Sequence, residues 1–197
     1  MLTKSRMKEH NYCFYNYKEE ELLINSSETR GIYPNIIEKI VEQLDICLDI
    51  HKRVLVVRFD LHLREYSDDN HIISTFINRL KEKLFKLKKY RSMKDIGHVW
   101  AREVETVKTQ HYHVALFLDG NKIQHPSALL QLIKAKWYKH GHCHIPKNSF
   151  YFLDKKKEDF KEQRGKAIYR LSYLGKTRGK GYKNVQAKNY SVSRLSR

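Results

Sequence analysis

The chain has 197 residues with 41% hydrophobic and 12% aromatic residues, which is enough to bury one core and too apolar for global disorder. Lys and Arg number 39 against 22 Asp and Glu, and the resulting charge of +17 makes a nucleic acid the leading partner. No apolar run is long enough to span a membrane and no signal-peptide pattern follows the N-terminus. We therefore expect a cytoplasmic protein without a membrane partner.

Cysteine usage indicates reduced thiols. Cys13, Cys47 and Cys143 are odd in number and have no CxxC spacing, so the sequence suggests neither a disulfide framework nor a cysteine zinc site.

The first half of the chain predicts a strand and two helices after a polar N-terminal segment, residues 1–30. Pro34–Ile50 repeats apolar residues at helical spacing after a Pro start, which predicts an added N-terminal helix. Arg53–Leu63 is rich in β-branched residues and predicts a strand. Residues 67–90 open with Ser and Asp cap candidates and continue as a helix.

The second half predicts a hairpin, a helix, an extended segment and a last helix. Residues 96–107 and 111–118 form two strand-like runs on either side of a short turn. A helical pattern over residues 126–139 is followed by extended chain over 143–153, broken near a proline, and by a further helix over about 158–175.

The resulting order, β-α-β-β-α-β, predicts an α+β fold of the ferredoxin-like (RRM-like) type. In that arrangement two helices cover one face of an antiparallel sheet, and we expect the other face to be open to a ligand. We expect residues 31–176 to form a single domain, with residues 177–197 as a basic C-terminal tail.

The tail contains seven basic residues from Lys176 onward and no acidic residue. One interpretation is a DNA-gripping arm using Arg178, Lys180 and Lys183. The alternative, with equal weight, is a solvated terminus with no fixed structure.

Two histidines on the second hairpin strand are candidate metal ligands. Strand alternation puts His111 and His113 on one face and apolar neighbours on the other. An octahedral Mg²⁺ or Mn²⁺ would also need a carboxylate, which the partner strand supplies as Glu103 or, in reserve, Glu105. With 11 histidines an HxH spacing alone is a weak signal, and ordinary surface histidines are the alternative.

A second histidine run, His140 to His144, has no nearby carboxylate in the sequence and is a weaker metal candidate.

Two tyrosines and a lysine recur at helical spacing near the end of the last predicted helix. At ~100° per residue, Tyr169, Tyr173 and Lys176 share one face, while the apolar residues of that helix lie opposite. A phenol is a poor nucleophile near neutral pH, because its pKa is about 10, and a metal-polarised phosphate with a nearby cation such as Lys176 would assist it. The alternative is an aromatic pair that stabilises the helix surface.

These residues together resemble the HUH superfamily of rolling-circle replication initiators. The likeness is closest to inovirus-type replication proteins and the related YagK/YfjJ C-terminal-domain group, and it spans about residues 53–176. It rests on four segments: Val57-Arg58-Phe59-Asp60, Ala101-Arg102-Glu103, His111-Tyr112-His113 with the strand after it, and Ser172-Tyr173-Leu174-Gly175-Lys176. The histidines precede the tyrosines, which disfavours the relaxase branch.

The resemblance implies a site-specific nickase that forms a 5′-phosphotyrosine on single-stranded DNA or an origin hairpin of a phage, plasmid or integrated element. His111, His113 and Glu103 would hold Mg²⁺ or Mn²⁺, Tyr173 would be the main nucleophile, Tyr169 would perform a second strand transfer, and Lys176 would steady the charge. Because the chain has no P-loop, a host helicase and polymerase would be required. The alternatives are an HUH transposase and a basic, non-catalytic DNA-binding regulator, for which the charge alone would suffice.

Overall fold

A computed structural model describes residues 12–26, 31–88, 93, 95–104, 110–180 and 187–195. The elements in chain order are β1 (Cys13–Tyr17), β2 (Glu20–Ile24), α1 (Pro34–Ile50), β3 (Arg53–Leu63), α2 (His71–Lys86), β4 (Gly97–Val104), β5 (Gln110–Asp119), α3 (Ser127–Trp137), β6 (Gly141–His144), β7 (Phe150–Asp154), α4 (Phe160–Ser172), a 3-10 turn (Tyr173–Gly175) and β8 (Tyr190–Val192).

The main sheet is antiparallel and has the strand order β6-β3-β5-β4-β8, with β7 also pairing with β3. The interior strand β3 pairs with β5 on one side and with both β6 and β7 on the other. The segment from β3 to β6 runs β-α-β-β-α-β and β7 adds one further strand, so the predicted α+β fold is confirmed.

Helices cover both faces of this sheet, so the expectation of an open face was wrong. Leu55, Val57 and Phe59 of β3 pack with α2 and α3, while Val54 and Val56 pack with α1 and α4. The reason is visible in the apolar run from Val54 to Val57, which is hydrophobic at successive positions rather than alternate ones, as expected of a strand buried on both faces. The helix predicted as an addition, α1, thus forms part of the core.

The face under α1 and α4 is apolar over one half and polar over the other. Val99 of β4 and Phe117 of β5 belong to the apolar half. Towards the end of β3 the same face instead carries buried charged and imidazole side chains, which are Arg58, Asp60, Glu103, His111 and His113. This polar half is the candidate functional site.

Parts of both terminal segments are folded onto the domain. β1 and β2 form a hairpin, and Glu20 of that hairpin pairs with Arg164 of α4 at 2.5 Å. At the other end, β8 extends the main sheet by pairing with β4. Within the described residues, the helices are all too short or too polar to cross a membrane.

Candidate metal centre and its tyrosine

Three side chains from the β4–β5 hairpin form a compact set of metal-ligand atoms. Glu103 of β4 lies directly opposite His111 of β5, and His113 is two residues further along the same face. One ligand atom from each of the three lies within 4.8 Å of the others, and all three side chains are buried. The alternative carboxylate, Glu105, falls outside the described residues.

A single carboxylate oxygen faces both histidines. Oε2 of Glu103 lies 3.3 Å from Nε2 of His111 and 3.1 Å from Nε2 of His113. Burial disfavours the ionised carboxyl, but the two histidines and the nearby Lys180 outweigh burial and hold the pKa of Glu103 well below its usual range. Glu103 is therefore a carboxylate, which is the form that binds a cation.

Asp60 stands behind His113 and fixes its orientation. The two residues are opposite each other in the β3–β5 register, and Oδ1 of Asp60 lies 2.7 Å from Nδ1 of His113. With its ring proton on Nδ1, His113 would donate to Asp60 and leave Nε2 available to a metal ion, as in carboxylate–histidine–metal arrangements. Nε2 of His113 is buried and has no partner of hydrogen-bonding geometry among the described residues.

The sequence analysis did not assign Asp60 to the candidate site, although it named Asp60 in a segment that carries the family resemblance. Asp60 is 6% exposed because β3 is an interior strand of the sheet, with neighbours on both sides. Burial opposes ionisation of this carboxyl, but the hydrogen bond and charge of His113, followed by Arg58, keep its pKa low. The signal available in the sequence was the alternation of Arg58, Asp60 and His62 along one face of β3.

The donor set fits a divalent metal ion. Two imidazole nitrogens and one carboxylate oxygen meet in a buried place, with Nε2 of His113 3.1 Å from Oε2 of Glu103. Imidazole is a common ligand of transition-metal ions, and carboxylate oxygen is a common ligand of Mg²⁺ and Mn²⁺.

Tyr173 covers the histidines from the side of α4. It is the first residue of the 3-10 turn, and its ring meets that of His113 edge-on at a centroid distance of 5.2 Å. The guanidinium of Arg58 lies 4.7 Å from the centre of the Tyr173 ring. Nζ of Lys176 donates a hydrogen bond to the phenolic oxygen. The phenol thus lies between a candidate metal centre and two cations.

Two lysines of the segment after α4 converge on Glu103. Nζ of Lys176 lies 3.3 Å from Oε2, and Nζ of Lys180 lies 3.1 Å from Oε1. Lys180 also donates to the carbonyl of Lys176 at 2.6 Å, and burial lowers its pKa despite Glu103. Lys180 was expected on a DNA-binding arm, but its side chain is buried on Glu103 because this carboxylate needs a counter-charge. Arg178 is exposed, and Lys183 lies outside the described residues.

Tyr169 lies in a different setting from Tyr173. It lines a groove between β7 and α4 together with Phe150 and Tyr151. The shared face predicted for the two tyrosines assumes one continuous helix, but α4 ends at Ser172 and Tyr173 begins a tighter turn.

The turn that carries Tyr173 is held by the chain before α1. The amide of Thr177 donates to the carbonyl of Gly31 at 2.9 Å, and the amide of Tyr33 donates to the carbonyl of Gly175 at 2.7 Å. Gly175 itself packs against Ile37 of α1 so closely that a Cβ there would lie 2.5 Å from the Ile37 methyl group. Backbone pairing and packing therefore fix the position of the phenol.

The second histidine run forms β6 and extends the imidazole cluster. His142 faces His62 of β3 at a ring distance of 6.1 Å, and His62 stacks on His111 at 4.9 Å. Across the part of the chain that is described, Glu103, His111 and His113 are the only residues that form a three-ligand group, so β6 supplies none.

The fold and this site define a class: a ferredoxin-like α+β domain with a buried Glu-His-His centre covered by a tyrosine. The chain belongs to the YagK/YfjJ C-terminal domain family, whose model matches residues 16–193. It is similar to two proteins of Escherichia coli K12 named as uncharacterized: YagK, 27% identical over 66% of this chain and 78% of YagK, and YfjJ, 24% identical over 73% of this chain and 86% of YfjJ. No solved structure matches the chain.

Proposed function

We propose that this protein is a metal-dependent DNA nickase in which Tyr173 is the nucleophile. The observation that carries this function is the contact of the Tyr173 ring with His113, within a buried set of three metal-ligand side chains. The net charge of +17 supports a polyanionic substrate. Together these features suit phosphoryl transfer to a tyrosine better than simple DNA binding, which needs no buried ligand set.

Glu103, His111 and His113 would hold the ion, with Mn²⁺ or Mg²⁺ as the candidates. A bound divalent cation supplies Lewis-acid polarisation of the scissile phosphate. Asp60 orients His113 through its Nδ1 hydrogen bond, and Lys180 occupies the second oxygen of Glu103. The other oxygen of Glu103, Oε2, faces both imidazoles and also lies 3.3 Å from Nζ of Lys176.

In the reaction, the phenolic oxygen of Tyr173 forms a bond to phosphorus and the bond from phosphorus to the 3′ oxygen breaks. The phenolic proton passes to water as the nucleophile attacks, and the departing 3′ oxygen takes a proton from water to become a free 3′-OH. Lys176 is hydrogen-bonded to the attacking oxygen and so stabilises the negative charge that develops there. Arg58, against the ring, adds a second positive charge.

The resemblance to HUH initiators suggests the biological role. A 5′-phosphotyrosine with a free 3′-OH can prime rolling-circle synthesis of a phage, plasmid or integrated element, with a host helicase and polymerase. Attack of a second hydroxyl on the adduct would restore Tyr173 and rejoin the strand, and Tyr169 is the candidate for a second transfer.

The test is a covalent adduct between the protein and DNA. The protein is incubated with Mn²⁺ and labelled single-stranded DNA from its own genomic neighbourhood, and products are resolved on denaturing gels. We expect a metal-dependent adduct that Tyr173→Phe abolishes and that the exposed-tyrosine control Tyr12→Phe retains. If wild-type protein forms no adduct yet binds DNA in a salt-sensitive manner, the chain is a non-catalytic regulator instead.

A further inference from the structure

A cleft between α2 and α3 gathers basic side chains at a distance from the candidate metal centre. Its volume is about 330 Å³, at the lower end of the range for ligand-binding clefts. We call it the α2–α3 cleft. It is lined by His71, Ile72, Thr75, Phe76 and Arg79 of α2 and by Lys136, Lys139 and His140 at the end of α3.

No acidic side chain lines the α2–α3 cleft, although five of its eight lining residues are basic. None of Arg79, Lys136 and Lys139 forms an ion pair with a carboxylate of the described residues. The pKa of His140 is lowered mainly by burial and then by the positive charges of Lys139 and Arg79. Like charges brought together without a counter-ion cost free energy, which an anion in the cleft would recover.

The shape and floor of the α2–α3 cleft suit a nucleotide unit. Ile72 and Phe76 provide an apolar floor for a sugar or base, and the guanidinium and ammonium groups surround it. Beside the cleft, Tyr138 is 73% exposed, and the guanidinium of Arg64 lies 5.5 Å from its ring centre. Exposed aromatic rings next to cations are the usual platform for stacking nucleic-acid bases.

The α2–α3 cleft and the metal centre lie at the same end of the sheet, on opposite faces. His140 immediately precedes β6, in which Gly141 pairs with Leu63 of β3. Two residues later, His142 faces His62, which stacks on the ligand His111. A strand of DNA that crosses the edge at β6 would reach from one site to the other.

We propose that the α2–α3 cleft binds the phosphate backbone of the DNA next to the segment that enters the metal centre. The identity of the ligand rests on the proposed function. The competing explanation is that these are ordinary surface charges, whose contribution to DNA binding is that of any other basic residue.

A charge-matched comparison separates the two. The cleft variant carries Arg79→Glu, Lys136→Glu and Lys139→Glu. The control carries Lys122→Glu, Lys156→Glu and Lys161→Glu, three exposed lysines, the first two of which lie by the opposite end of β3. Both lower the net charge by the same amount. Each is made in the Tyr173→Phe background, and binding of a fluorescent single-stranded oligonucleotide is measured without metal, after circular dichroism verifies the fold.

We expect the cleft variant to bind roughly 10-fold more weakly than the control and to lose about two units of the slope of log affinity against log salt, as for two to three lost phosphate contacts. Equal weakening of both variants would overturn the cleft as a binding site. Because neither metal nor an active nucleophile is present, this result is independent of whether the wild-type protein forms an adduct.

Discussion

At the scale of single residues, Asp60 connects strand β3 to the candidate metal centre. Its carboxylate holds Nδ1 of His113 at 2.7 Å, so Asp60→Asn removes the charge that fixes the ring. We expect Mn²⁺ affinity, measured by isothermal titration calorimetry, to fall about 10–100-fold, the usual effect of losing a partner of a metal-bound histidine.

The control for Asp60→Asn is Asp154→Asn, which also removes a buried carboxylate from the sheet. Asp154 pairs with Arg53 at 2.7 Å, at the other end of β3 from His113. It should lower stability without changing metal affinity. Equal Mn²⁺ affinity in wild type and Asp60→Asn would show that Asp60 does not support a metal site.

A second residue-scale prediction concerns pH. Burial lowers the pKa of Lys81 on α2 from 10.5 to about 8. The unfolded chain therefore holds this proton more tightly than the folded chain does. Below pH 8 the charge on Lys81 destabilises the fold, and this loss of folding stability disappears as pH rises from 8 to 10.5. The neighbours Cys47 and His98 are neutral across this window, since burial raises the pKa of the first to about 12 and lowers that of the second to about 3.

Lys81→Met should accordingly raise the melting temperature at pH 7, and the advantage over wild type should shrink towards pH 10.5. Lys83→Met, at an exposed position of the same helix, serves as the control for loss of charge. A gain in melting temperature that stays constant across this pH range, or a loss of stability at pH 7, would contradict the lowered pKa of Lys81.

At the scale of elements, the turn that carries Tyr173 depends on its contact with α1. A Cβ at Gly175 would lie 2.5 Å from Cδ1 of Ile37, a side chain that is fully buried. Gly175→Ala should therefore lower the free energy of unfolding by about 1–3 kcal/mol and slow adduct formation, because the turn must move away from α1. Urea denaturation and the adduct assay measure the two effects.

Ile37→Val in the same background removes the methyl group that clashes and should recover part of both losses. The matched control is Gly165→Ala in α4, where a Cβ would meet nothing within 4 Å. There the helix should gain about 0.5–1 kcal/mol, because alanine favours a helix more than glycine does. If Gly175→Ala behaves like Gly165→Ala, the turn is not held by α1.

Several elements could be predicted from local pattern alone. The bounds of α1 and β3 agree with the structure because each has a strong apolar period and clear limits. β8 was missed because its three residues, Tyr190–Val192, lie in a basic segment and are stabilised only by pairing with β4. Helix α1 was predicted, but its place over the second face depends on long-range packing that periodicity does not encode.

Of the candidate site, too, only the part that lies within one local segment could be predicted from the sequence. The pairing of Glu103 with His111 follows from one local hairpin, so sequence spacing sufficed. Asp60 and Lys180 reach the same place from 43 residues or more away in the chain, which requires the strand order and the path after α4. Contacts between distant segments are the part that composition and spacing leave undetermined.

At the scale of the whole molecule, a net charge of +17 accompanies a buried negative centre. Glu103 and Asp60 lie inside, against lysine, arginine and histidine side chains, while the α2–α3 cleft presents uncompensated positive charge outside. This distribution suits a protein that attracts a polyanion over its surface and performs chemistry at one enclosed point. In the proposed function, the basic surface would account for DNA binding and the Glu-His-His centre for reactivity.

The most direct test of the central claim is to identify the residue that carries DNA. After reaction with Mn²⁺, nuclease trimming of the DNA and trypsin digestion, the two tyrosines fall in separate peptides, residues 167–170 and residues 171–176. Mass spectrometry should find a nucleotide joined through its 5′-phosphate to Tyr173 in the second peptide. A modification on Tyr169 alone, or on no tyrosine while DNA is still cut, would contradict the assignment of Tyr173 as the nucleophile.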